Sequence, residues 1–144
     1  MLKWFLLLSS LYAVEIEVGR IPLEVEIADT ERLRQIGLSG RTDLPEGNGM
    51  LFIYKEPQIA CFWMKNTTIP LSVGFFDGNK TLIGWENMDP PSSEVKQLPI
   101  YKSKKPVMYA LEVRQGWFER HGIKPGTNLK MIKNPSTDQE NSLK

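Results

Sequence analysis

The chain has 144 residues, 18 Lys and Arg against 17 Asp and Glu, a net charge of +1, one cysteine and one histidine. This length fits a single domain that buries roughly 68–70% of its unfolded surface, without metal or disulfide staples. The balanced charge gives no electrostatic ground for binding nucleic acid, Cys61 alone excludes an internal disulfide or a thiolate zinc site, and His121 alone excludes a His-cluster metal site.

Residues 1–13, MLKWFLLLSSLYA, have Lys3, an apolar stretch from Trp4 to Leu8, and then small residues. That order predicts a short export signal and a periplasmic or extracellular location. An apolar N-terminal strand is the alternative. The stretch falls short of the roughly 20 apolar residues that span a membrane, so no integral membrane protein is expected.

The next segment alternates. Tyr12, Val14, Ile16 and Val18 oppose Glu15 and Glu17, and after Gly19-Arg20 the run Ile21, Leu23, Val25, Ile27 opposes Glu24 and Glu26. Two period-two runs joined by a Gly-containing pair predict a β-hairpin with one acidic, solvated face. Asp29 or Thr30 then caps a short helix carrying Leu33 and Ile36, ended by Gly37 or Gly40. RTDLPEGNGM reads as a loop and MLFIY (50–54) as a strand broken by Glu56-Pro57. Strands are expected over 59–64 and 69–76, with Asp77-Gly78-Asn79-Lys80 turning the chain into TLIGW.

From Glu86 to Pro99 the composition is loop-like. PVMYALEV (106–113) is the longest late strand, with Met108, Ala110 and Glu112 opposite Val107, Tyr109, Leu111 and Val113. GWFERHG predicts a helical turn, NLKMI a final strand, and residues 134–144 a disordered polar tail. Many short strands with few helical residues predict a mainly β fold: a compact single-domain barrel or sandwich with one or two short helices, over residues 14–133.

GLSGR (37–41), GMLFIY (49–54), FWMKNTTIPLSV (62–73), PIYKS (99–103), ALEV (110–113) and GWFERHGIKPG (116–126) together resemble the DUF192 family. FWMKNT followed downstream by GWxxRHGIKPG is the specific combination, and the blocks cover roughly residues 20–132 in family order. The resemblance implies a compact, mainly β domain of bacterial and archaeal proteins, often preceded by an export signal. It implies a fold more than a chemistry. Many relatives carry an acidic residue where this chain has Ser72, so no role for a carboxylate there transfers.

The candidate site lies at FWMKNT. Lys65 offers three donors and a charge, Asn66 a donor and an acceptor, and both follow the Phe62, Trp63, Met64 cluster where the chain must turn. One reading is a pocket in which Trp63 stacks on a ring while Lys65 and Asn66 bind a carboxylate or hydroxyls. The other is that the aromatics fill the core and Asn66 forms an Asx-turn. Arg41 is a further anion-binding candidate, with pairing to Asp43 or Glu46 as its alternative. Glu112 lies either on a wet face or beside Lys65 or Arg41. Cys61 reads as a small buried hydrophobe rather than half of a Cys–His pair with His121.

No Walker loop, dinucleotide fingerprint or GxSxG elbow occurs, and no cofactor is expected. Three functions follow as expectations. The first is binding of a small polar or anionic ligand, a saccharide or cell-envelope fragment, by Arg41, Trp63, Lys65, Asn66 and Glu112. The second is a hydrolase or transferase pairing Lys65 with Glu112 or Asp77. The third is an interaction module for an envelope protein, using open strand edges.

Overall fold

The computed structural model describes residues 13–132. All but Ala13 of the expected leader, and the whole expected tail, lie outside the described residues. Strands β1 (Val14–Val18) and β2 (Ile21–Ala28) form the antiparallel hairpin that the alternation predicts, with Gly19 supplying a φ of 62° at the turn. Ile16, Val18, Leu23 and Val25 are buried while Glu15 and Glu24 are exposed, so the period-two reading holds through the middle of the hairpin, with Val14, Glu17, Glu26 and Ile27 half-buried towards its open end and at the turn.

Helix α1 (Glu31–Ile36) begins at Thr30, whose Oγ1 accepts a hydrogen bond from the Leu33 N–H at 3.1 Å. It ends at Gly37, with a φ of 50°. None of its residues is buried. The chain then returns as β3 (Asn48–Gln58), which pairs with β2 in parallel from Glu24↔Asn48 to Ala28↔Phe52. β3 also runs through Glu56-Pro57, where a break was expected. A register shift against its antiparallel neighbour lies between Ile53 and Gln58, so Pro57 sits where the ladder is already irregular.

Most of the strand expected over 59–64 is loop. A two-residue strand β4 (Cys61–Phe62) pairs with a two-residue β7 (Tyr101–Lys102) as a separate ribbon. The remaining elements are β5 (Leu71–Phe76), β6 (Leu82–Met88), β8 (Val107–Arg114), α2 (Trp117–Arg120) and β9 (Leu129–Met131). They complete a seven-stranded sheet in the order β6-β5-β8-β3-β2-β1-β9. The sheet curls until its two edges meet: Thr81 and Asn128 form a β-bridge, and the Leu129 N–H donates to the Lys80 carbonyl at 2.9 Å. This is the mainly β, barrel-like architecture that the strand pattern implied.

Strand alternation divides the core in two. Leu51, Leu111, Val113 and Phe76 face one cluster with Trp117 and Phe118, whereas Met50, Phe52, Tyr54, Ala110, Val73 and Phe75 face the other. The second cluster is covered by the 59–67 segment and the β4–β7 ribbon, which contribute Ala60, Phe62, Met64 and Tyr101. Both faces of β8 are therefore covered. Glu112 pairs in register with Met50 on β3 and with Val73 on β5, and it is only 5% exposed. The wet face allowed for Glu112 in the sequence does not exist.

Candidate functional site

The apolar layer beneath the 59–67 segment is incomplete. A cavity of about 820 Å³ remains between α1, the end of β3, the segment from Ile59 to Thr67, and β8. Trp63, Lys65 and Asn66 line it, and so does Glu112. Four of the five residues singled out in the sequence thus share one cavity. Arg41 does not line it. Its guanidinium makes a two-pronged ion pair with Glu26, both contacts at 2.8 Å, rather than pairing with Asp43 or Glu46.

Local alternation explains what each residue of the FWMKNT segment does. Phe62 and Met64 are buried at 7% and 2%, while Trp63 between them is 51% exposed. Phe62 stands edge-on to Phe52 with centroids 4.9 Å apart, so one ring fills the core and the next faces out. The Lys65 ammonium lies 5.2 Å from the centre of the Trp63 ring, a cation–π pair at the exposed end of the cavity. The Thr67 N–H donates to the Met64 carbonyl at 3.2 Å and closes a turn in which Asn66 has a φ of 54°. Asn tolerates that left-handed backbone better than most residues. Its side chain makes no hydrogen bond among the described residues, so the amide is not spent on an Asx-turn. The turn is pinned from outside: the Gly40 N–H donates to the Asn66 carbonyl at 2.9 Å, and Ser39 Oγ donates to the Lys65 carbonyl at 3.2 Å.

The interior of the cavity is unusual for its one carboxyl. Glu112 Oε2 is buried and has no hydrogen-bond partner, and no ion pair joins it to Lys65 or Arg41 among the described residues. Burial in the apolar layer pushes its pKa up to about 8. At neutral pH it therefore carries its proton and can both donate and accept. Tyr54 lines the same cavity, and its phenol is pushed up to about 12, first by burial. Arg34 opposes that shift, while Glu112 and Cys61 add to it. The Arg34 guanidinium lies 5.4 Å from the Tyr54 ring centre and anchors itself on the Ile53 carbonyl at 2.8 Å.

Arg34 and Tyr54 are the residues that sequence reasoning missed. The shared parity of Met50, Phe52 and Tyr54 could have placed Tyr54 on the cavity face, but nothing local aims Arg34 across from α1. Cys61 is a correction: it is exposed and lines the cavity, because in the two-residue β4 only Phe62 points inward. His121 instead packs on Trp117 with ring centroids 4.8 Å apart, beside Glu46, so no Cys–His pair forms. Asp77 is occupied in the β5–β6 turn, where its Oδ1 accepts from the Asn79 and Thr81 N–H groups at 2.9 and 3.0 Å. Of the two carboxyls expected as partners for Lys65, Glu112 alone lines its cavity. Ser72 Oγ donates to Asn87 Oδ1 at 2.6 Å and accepts from the Gly116 N–H at 3.0 Å, a satisfied structural link between β5, β6 and the start of α2.

The DUF192 family model, described as "Uncharacterized ACR", matches residues 14–131. The chain belongs to the DUF192 family. Two solved structures are similar over most of their length. One is a candidate transcription regulator from Sinorhizobium meliloti, 32% identical, with a TM-score of 0.72, covering 83% of this chain and 92% of the other. The second is a protein of unknown function from Novosphingobium aromaticivorans, 31% identical, with a TM-score of 0.75, covering 82% of this chain and 84% of the other. No match to a curated protein was found. Among the described residues, no helix of this DUF192 protein is long and apolar enough to cross a membrane.

Proposed function

We propose that this DUF192 chain is a binding domain for a small polar or anionic ligand, such as a saccharide or cell-envelope fragment, seated in the cavity over Glu112. The observation that carries this reading is the unpartnered Oε2 of a buried carboxyl in a cavity whose rim also holds Trp63, Lys65 and Asn66. A buried polar group left without a partner costs about 1–3 kcal/mol. A ligand hydroxyl would supply the missing hydrogen bond. The exposed face of Trp63 would stack on a ring, and the free Asn66 amide would read a second polar group.

A thermal-shift screen of saccharides, envelope fragments, carboxylates and phosphates tests this. A ligand bound only by the folded state adds about 2.7 kcal/mol at a hundredfold excess over its Kd. Lys65→Ala combined with Asn66→Gly should remove the shift while the variant melts near the native temperature. Gly is the right replacement because it accepts the φ of 54° without strain. No saturable shift across the panel counts against the proposal.

Export belongs to the same proposal, and it rests on the pattern of residues 1–13. Fractionation that finds the full-length chain wholly in the cytosol contradicts it. A second reading has one observation in its favour: an acid titrating near 8 inside a cavity is suited to general acid catalysis. It predicts turnover on an ester, amide, glycoside or phosphate panel that is lost in Glu112→Gln. A native protein inert on that panel removes it.

A further inference from the structure

Two cations line the cavity, and each lies over an aromatic ring of the same cavity: Arg34 over Tyr54 and Lys65 over Trp63. Such pairing restrains the side chains, so less freedom is lost when they bind. Arg34 spends one nitrogen on the Ile53 carbonyl, and the remaining donors of its fork have no partner among the described residues. Lys65 makes no ion pair among the described residues. Glu31 is the acidic residue that lines the cavity with them, apart from the buried Glu112. The exposed part of the site is thus positive, while its interior ends in a single carboxyl whose Oε2 lacks a hydrogen-bond partner.

We infer that the cavity takes an acidic sugar or comparable polyhydroxy carboxylate, its anionic group held by Arg34 and Lys65 and a hydroxyl held by Glu112. This rests on the ligand-binding reading above and narrows it to one chemical class with one orientation. A charge-assisted pair from a guanidinium to a carboxylate is about twice as strong as a neutral hydrogen bond. The sugar ring would lie against the exposed face of Trp63, and its hydroxyl would exchange hydrogen bonds with the protonated Glu112. Ionising Glu112 places a negative charge near the bound anion, so affinity falls as pH rises. The charged and titratable groups that line the cavity with Glu112 are Tyr54 on β3, Glu31 and Arg34 on α1, Cys61 on β4 and Lys65 in the turn.

Calorimetric titration of the full chain with D-glucuronate, D-glucose and D-glucosamine tests this, because the three differ chiefly in one charged group. At pH 6 glucuronate should bind about tenfold tighter than glucose, the equivalent of one charge-assisted contact, with glucosamine weaker still. Arg34→Gln with Lys65→Met should bring glucuronate down to the level of glucose. Between pH 6 and pH 9 the native protein should lose affinity for glucuronate, and Glu112→Gln should show no such loss. Glucose or glucosamine binding as tightly as glucuronate would keep a ligand site in the cavity yet overturn the acidic-sugar inference. Glucuronate binding that survives Arg34→Gln/Lys65→Met would overturn it too. Binding of none of the three would remove this class, while the wider reading would stand or fall on the thermal-shift panel.

Discussion

Glu112→Gln is expected to stabilise the folded chain at pH 8 by several kcal/mol and to flatten its dependence on pH between about 5 and 8. Burial raises the Glu112 carboxyl from 4.5 in the unfolded chain to about 8 in the folded one. Below the unfolded value both states hold the proton, and burial of the neutral acid carries no charge penalty. As pH rises past it, the unfolded chain ionises freely while the folded chain must hold on to its proton. Stability therefore falls with rising pH by up to about 1.4 kcal/mol per unit, levelling off near the folded value. The full fall is roughly 5 kcal/mol, comparable to the total stability of many small domains.

Glu46 and Glu119 act in the opposite sense. Arg120 holds Glu46 below the usual carboxylate range by hydrogen bonding, and Trp85 does the same for Glu119. Their stabilisation is present above the unfolded carboxylate values and is lost as pH falls through the depressed ones, outside the Glu112 window. Glu119 is exposed and Glu46 is half-exposed, so screening keeps their contribution small. Urea denaturation of native and Glu112→Gln protein at pH 5, 6, 7 and 8 separates the cases. Midpoints that diverge with rising pH support the buried, unpaired carboxyl, and parallel curves contradict it.

Phe118→Ala is expected to cost about 3–5 kcal/mol, the range for emptying a large aromatic site in a core. Phe118 is fully buried, stacked on Trp85 at 5.2 Å and edge-on to Trp117 at the same distance. Its ring also rests on Gly74 of β5, where an added Cβ would collide with Phe118 Cζ. Gly74 is thus the seat that lets the GWFERHG segment pack onto the sheet. Gly74→Ala alone should destabilise by about 1–3 kcal/mol through overpacking. In a Phe118→Ala background the same methyl enters vacated space, so most of that cost should vanish. A double-mutant cycle by urea denaturation measures this directly. Additive losses would mean that the two residues do not share the contact.

The strands were legible where one face meets solvent. Glu15, Glu17, Glu24 and Glu26 mark the first hairpin because Ile16, Val18, Leu23 and Val25 on the other parity are buried. β8 was legible as a strand but not in its environment, since both faces are covered and alternation there no longer separates wet from dry. The parallel pairing of β2 with β3 was not legible at all. It depends on where α1 and the following loop return the chain, and neither run of residues encodes the direction of its neighbour. The site followed the same division. Trp63, Lys65 and Asn66 stood out because a cation and an amide interrupt an apolar run. Arg34 did not, because an arginine on a short exposed helix carries no local mark of the cavity it lines.

A carbon-detected NMR titration of the Glu112 side-chain carboxyl, in full-length protein labelled at glutamate, tests the central claim most directly. The claim is that a buried carboxyl without a protein partner lines a cavity open to ligand. The account predicts a midpoint near 8 in the free protein, set by burial, and a change in that midpoint when a saturating ligand from the screen is added. A midpoint in the ordinary carboxylate range would contradict it. Glu112 would then be hydrated or paired, and the cavity would lose the feature on which its proposed chemistry depends.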